Sequence, residues 1–178
     1  MKKIYLAFLF ACVCTALIAQ TILTPTDAGS TVHFTIKNFG LKTSGDFTGL
    51  KGAIKFDPNN LAGSSFDITV DANSVNTGNK SRDNHLRKEE YFDVAKYPVL
   101  HFKSTKVNSI KEIYFVEGTI TIKSIIKVIS FPFKASPQDG GGFLFQGLFE
   151  LNRRDFGVGG NSAVLGDNVK VTLTVFAK

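Results

Sequence analysis

The sequence predicts an all-β protein: an antiparallel sheet of about eight strands, closed as a barrel or folded as a sandwich. Three observations carry that prediction. Apolar and polar residues alternate with a period of two along most of the chain beyond residue 30. Each alternating run has one apolar and one polar face, whereas strands buried on both faces would read as continuous apolar runs. Clusters of turn-forming residues separate the runs. Composition leans the same way, with 17 Phe and 16 Gly against 1 Met and 0 Trp.

The elements follow in chain order. In 31–37, Val32, Phe34 and Ile36 share one face and His33, Thr35 and Lys37 the other. Lys42, Thr43, Ser44, Gly45 and Asp46 read as a turn, and a strand within 47–56 places Ile54 and Phe56 in step. After a turn at 57–60, Phe66, Ile68 and Val70 alternate with Asp67, Thr69 and Asp71. Leu100 and Phe102 alternate with His101 and Lys103. Tyr114, Val116, Gly118, Ile120 and Ile122 line one face of 114–123, and Ile129, Phe131 and Phe133 follow. Pro132 has no amide hydrogen, so its strand must end, bulge or lie at an edge there. A glycine-rich turn at 138–142 precedes Phe143, Phe145, Gly147, Phe149 and Leu151. A turn at 165–168 precedes Val169, Val171, Leu173 and Val175. Residues 79–93 break the alternation. A short helix is expected over about 81–92, capped by Asn79 or Ser81, with Asp83 well placed in its first turn. Tyr97-Pro98 returns the chain to an extended form.

Residues 1–19 read as a cleaved secretory signal peptide: Lys2 and Lys3, then an apolar run ending near Ala19. One domain, 20–178, is expected to remain, in the periplasm or secreted. Cys12 and Cys14, the chain's 2 cysteines, leave with the leader, so no disulfide, thiolate site or cysteine nucleophile is expected. No further run is long enough to span a bilayer. The formal charge of +6 loses two lysines with the leader, and the remaining positives are scattered, which argues against nucleic-acid binding.

Chemistry finds little support. His33 and His101 lie on the polar sides of their strands, and His85 stands two residues from Asp83, a spacing that does not share a helix face. No metal site or cofactor is expected. No Gly-x-Ser-x-Gly elbow or phosphate loop occurs. These absences argue against catalysis. The abundant inward Phe, Ile and Val either fill an ordinary core or line a barrel just wide enough for one apolar ligand. Periodicity does not separate the two.

Residues 81–104 resemble the signature of the YceI-like family. The pattern is R-D-x-H-L-R (Arg82, Asp83, His85, Leu86, Arg87), an aromatic pair with Asp (Tyr91, Phe92, Asp93), then Y-P (Tyr97, Pro98) and F-x-S (Phe102, Ser104). Residues 118–123 are similar to its G-x-L-T-I-x strand, 152–158 to its N-R-x-D-F-G-V segment, and 30–34 to its S-x-V-x-F. The matches run in order across nearly the whole chain after the leader. The sequence departs from the family in lacking its early Trp and in having Asn38 near a usual His and Ser124 at a usual Gly. The resemblance implies a lipocalin-like antiparallel barrel of eight strands that binds polyisoprenoid or related long-chain lipid, in a periplasmic or secreted and often homodimeric protein. On that basis Val32, Phe34, Ile36, Phe66, Ile68, Val70, Phe102, Ile120, Phe145, Phe149, Val171 and Leu173 are the expected ligand lining. Arg82, Asp83, His85 and Arg87 are expected to brace a helical lid by hydrogen bonds, and Arg154 and Asp155 to form an internal ion pair. The alternative is a stress-response or interaction module whose barrel is filled and takes no lipid.

Overall fold

The computed structural model describes residues 21–111 and 113–178. The leader expected over 1–19 lies outside them. Ten strands form one antiparallel sheet: β1 (Ile22–Leu23), β2 (Pro25–Asn38), β3 (Leu41–Phe47), β4 (Lys51–Lys55), β5 (Ser65–Asp71), β6 (Val99–Ile110), β7 (Ile113–Ile122), β8 (Ile125–Pro137), β9 (Phe143–Asn152) and β10 (Asn168–Ala177). Their order in space is β1-β4-β5-β6-β7-β8-β9-β10-β2-β3. One helix, α1 (Lys80–Leu86), and a 3-10 turn at Arg153–Phe156 sit at the same end of the barrel.

The strand count is ten, not eight, for two reasons. Only Thr24 separates β1 from β2, and the pair works as one strand that joins the two ends of the sheet. Ile22 and Leu23 stand opposite Lys55 and Ile54 of β4. Thr24 exchanges hydrogen bonds of 2.8 and 3.1 Å with Lys178, and Pro25 stands opposite Ala177 of β10. The second reason is β3, which runs where a turn was expected at 42–46. The reversal is instead at Phe39 and Gly40, with φ of 50° and 74°. Two positive φ values match the right-handed strand twist in a two-residue hairpin. Phenylalanine is an unusual occupant of that conformation, so the turn carries no sequence signal. The inward positions of β3 opposite Ile36 and Phe34 are Thr43 and Gly45, so apolar alternation is absent as well.

Helix α1 is shorter than the expected 81–92. Asn79 caps it, its side chain accepting from the Arg82 amide. The chain then folds back: the Phe92 amide donates to the Leu86 carbonyl at 3.0 Å and the Val94 amide to Arg87 at 3.1 Å. Those bonds replace a continued helix through the rest of the segment.

Pro132 lies at a partial edge. The β7 ladder follows β8 from Ile125 to Phe133, but the β9 ladder begins only at Phe133, opposite Gly147. The barrel wall is therefore split between residues 125–132 and the end of β9, at the end that carries α1.

At the other end the barrel is packed with rings. Phe56 makes edge-on contacts with Tyr114, Phe143 and Phe145, each at 5.3 Å between centroids. Phe66 packs on Phe133 and Phe145, both at 5.4 Å. Ile54, Val116, Val175 and Ala177 are buried around them. Edge-to-face pairs add to the stabilisation from area burial alone, so this floor is a strong core.

A candidate ligand cavity beneath the α1 cap

Above the aromatic floor the barrel encloses a cavity of about 230 Å³ with an almost wholly apolar lining. Its wall comes from the inward sides of β2 (Val32, Phe34, Ile36), β5 (Ile68, Val70), β6 (Leu100, Phe102), β7 (Ile120, Ile122), β9 (Phe149, Leu151) and β10 (Val169, Val171, Leu173). Leu86 of α1 and Tyr91 and Phe92 after it line the capped end. The reason for the space is side-chain size. Inward positions at the floor include Phe56, Phe66, Phe133, Phe143 and Phe145, whereas at the capped end many are Val and Ile, too short to meet across a barrel of this width. An apolar cavity of about 150 Å³ already holds a benzene-sized molecule, so this one has room for part of an alkyl or prenyl chain.

Of the lining expected from sequence, Phe66 and Phe145 lie in the packed floor and the rest line the cavity. The barrel is thus filled at one end and hollow at the other. Leu86, Tyr91 and Phe92 were not expected in the wall, because they stand in the segment without alternation. Phe131, Leu151 and Val169 share the inward parity of the expected residues and could have been named with them.

The cap is held by side chains of the signature segment. The Arg87 guanidinium donates to the carbonyls of Asn73 (2.8 Å) and Val75 (2.9 Å). Arg82 donates to the Thr77 hydroxyl at 2.7 Å and the Thr77 carbonyl at 2.9 Å. The buried Asp83 carboxylate accepts from the Thr77 amide at 2.8 Å and from its hydroxyl. His85 and Glu90 share a hydrogen bond of 2.6 Å, and the His85 ring stands edge-on to Tyr91. The bonds of Arg82, Asp83 and Arg87 tie α1 to residues 73–77, which follow β5, while the His85–Glu90 bond holds the cap segment to itself.

The expected Arg154–Asp155 pair is not formed: both residues are exposed. The buried cation is its neighbour Arg153, only 3% exposed. Asn152 caps the 3-10 turn at Arg153–Phe156, and that turn carries Arg153 inward. Its guanidinium donates to the carbonyls of Val158 (2.9 Å), Gly159, Gly160 (3.0 Å), Leu165 (3.2 Å) and Gly166 (2.9 Å). A 3.0 Å bond to the Asp167 carboxylate supplies the counter-charge. Arg154 reaches the same carboxylate only at 3.4 Å, in solvent. Arg153 thereby folds the loop 158–167 over the rim, where Phe156 and Val158 pack against Ile122 and Leu151. His33 and His101 pair at 2.7 Å with Asp46 and Asp67. Among the described residues no group of three or more His, Cys, Asp or Glu is placed to hold a metal ion.

The profile of the YceI-like domain matches residues 24–177. The chain belongs to the YceI-like family. This YceI-like protein is 29% identical to a UPF0312 protein of Yersinia enterocolitica over 150 residues, covering 81% of this chain and 78% of that one. Among solved structures it is similar to BcnA of Burkholderia cenocepacia, with TM-score 0.80 and 27% identity over 85% of this chain and 98% of that one. It also shares its fold with a polyisoprenoid binding domain from Saccharophagus degradans, with TM-score 0.70 and 18% identity over 89% and 98% of the two chains.

The cap of this YceI-like protein should weaken in acid. Burial pushes the Asp83 carboxyl up, but the two bonds from Thr77 and the charges of Arg87 and Arg82 outweigh it and hold the group below its ordinary value. The Asp67 carboxyl is also lowered, chiefly by the His101 hydrogen bond. A lowered folded value means stabilisation that is complete above the unfolded pKa and lost as pH falls through the folded one. Urea midpoints should therefore decline as pH drops below about 4. Asp83→Asn should be less stable at pH 7 and show a shallower decline, with Asp67 supplying the remainder. An unchanged slope in Asp83→Asn would remove Asp83 from this account.

Proposed function

We propose that this protein binds a long-chain apolar lipid, a polyisoprenoid or a similar amphiphile, with its tail in the capped cavity, and carries or stores it in the cell envelope. The single observation that carries the reading is the cavity itself: an apolar chamber above a floor already filled with rings. Burying apolar surface there stabilises a complex by about 25 cal/mol per Å² and requires few polar contacts. The polyisoprenoid binding named for the Saccharophagus degradans domain, on a shared fold, supports the same ligand class. We assign the envelope from the leader read at 1–19, and no helix among the described residues is long and apolar enough to cross a membrane.

We read the protein as a binder and not an enzyme. The cations nearest the cavity, Arg82 and Arg153, already donate to backbone carbonyls of the cap and rim. The filled-barrel alternative describes the floor correctly, but the chamber above the floor favours a ligand.

Native mass spectrometry of the protein purified from a bacterial host tests the proposal. The expected spectrum shows an adduct of lipid mass that organic extraction removes, with a prenyl or other long-chain lipid in the extract. A bare chain from several hosts, with no uptake of added prenyl alcohol, would overturn it.

A further inference from the structure

Next to the ligand cavity lies a second void of about 60 Å³, on its floor side. Ile68, Phe102, Phe131, Leu173 and Val175 line both spaces and so form the partition between them. Two of these side chains are rings, with centroids 5.7 Å apart. Each ring rests on a glycine of the next strand. A Cβ on Gly118 of β7 would lie 2.9 Å from Cζ of Phe102, and a Cβ on Gly147 of β9 would lie 3.1 Å from Cε2 of Phe131. The wall thus lacks a side chain at the two places where a ring must fold across the barrel. Phe149 packs on the Phe131 ring at 4.7 Å and fixes it further.

We propose that Phe102 and Phe131 set the length of apolar chain the cavity accepts. This rests on the lipid-binding reading above and adds its chain-length rule. Each methylene that finds dry apolar space raises affinity about fourfold. Once a tail meets the two rings, the next carbon either stays in water or overpacks the partition, and the gain stops. Shortening either ring joins the small void to the large one and moves the stopping point outward.

The test is displacement of a fluorescent naphthalenesulfonate dye by straight-chain 1-alkanols from octanol to octadecanol, on the whole protein. Wild type, Phe131→Ala, Phe131→Leu and Phe102→Leu are compared, with near-ultraviolet circular dichroism to establish the fold of each. The leucine variants keep an apolar side chain in the partition and serve if the alanine variant does not fold. In wild type, affinity should climb with chain length and then level off. In the variants the break should move to longer chains by on the order of two to four carbons, the room freed by a void of this size and part of a ring. A break at the same length in folded Phe131→Leu and Phe102→Leu would overturn the chain-length rule and leave lipid binding standing. If no alkanol binds to wild type, the lipid-binding reading fails and this inference fails with it.

Discussion

Replacing Arg153 with leucine should lower the stability of the protein by about 4 kcal/mol, while the same change at Arg154 should cost less than about 1 kcal/mol. The two arginines are neighbours of identical type, and only their surroundings differ. The Arg153 guanidinium satisfies carbonyls of Val158, Gly159, Gly160, Leu165 and Gly166 and pairs with Asp167. Removing it leaves those acceptors short of a donor beneath the rim, at about 1–3 kcal/mol for each one that water cannot reach. The loop 158–167 can move to hydrate some of them, so the sum is not additive. At about 2–4 °C per kcal/mol for a domain of this size, the melting temperature should fall by about 10 °C. Arg153→Lys should recover less than half, because an ammonium offers three donors around a point where the guanidinium offers a planar fork of five. Urea titration of the three variants decides the matter. Similar losses at 153 and 154 would contradict the assignment of Arg153 as the rim's internal anchor.

The second large effect concerns the hollow end. Val171 stands opposite Phe34 on β2 and Phe149 on β9, with its side chain in the cavity wall. Val171→Trp should fill the chamber and lower affinity for a long-chain alcohol about 100-fold, equivalent to losing three to four buried methylenes. Stability should hold, because the indole enters empty space. Val175→Trp, two steps further along the same alternation, sits in the partition against the floor, where Val175 is already 5% exposed. Overpacking there should cost about 1–3 kcal/mol. The measurements are dye displacement and thermal melting of both variants. Full-strength binding by Val171→Trp would show that the ligand lies elsewhere.

The wall of the barrel was legible in the sequence wherever one face of a strand is buried and the other is wet. Runs such as Val169, Val171, Leu173 and Val175 could be placed on one face without any partner being known. β3 was hidden because its inward positions include Thr43 and Gly45, and its turn because Phe39 takes a conformation that sequence rules reserve for Gly and Asn. β1 is two residues long and has no period to detect. Alternation says nothing of Arg153 and Arg154, which lie on a 3-10 turn, but the N-R-x-D-F-G-V pattern does separate them: its Arg falls at 153 and its variable position at 154, the opposite of the expected pair. The family signature named the bracing residues of the cap, but the apolar Leu86, Tyr91 and Phe92 beside them gave no periodic signal. Filled or hollow was undecidable from parity alone. It depends on the level of each residue along the barrel, and therefore on strand register. Once register aligns the strands, the Phe-rich end and the Val- and Ile-rich end separate.

That division is the central claim, and a pair of tryptophan reporters tests it most directly. The chain has 0 Trp, so each substitution supplies the only indole. Phe149→Trp places it at the cavity wall, and Phe145→Trp places it in the floor, against Phe56 and Phe66. On titration with geranylgeraniol, the emission of Phe149→Trp should shift and saturate, while that of Phe145→Trp stays constant. Constant emission from both folded variants up to the solubility limit of the alcohol, or an equal response from both, would contradict a ligand chamber above a filled floor.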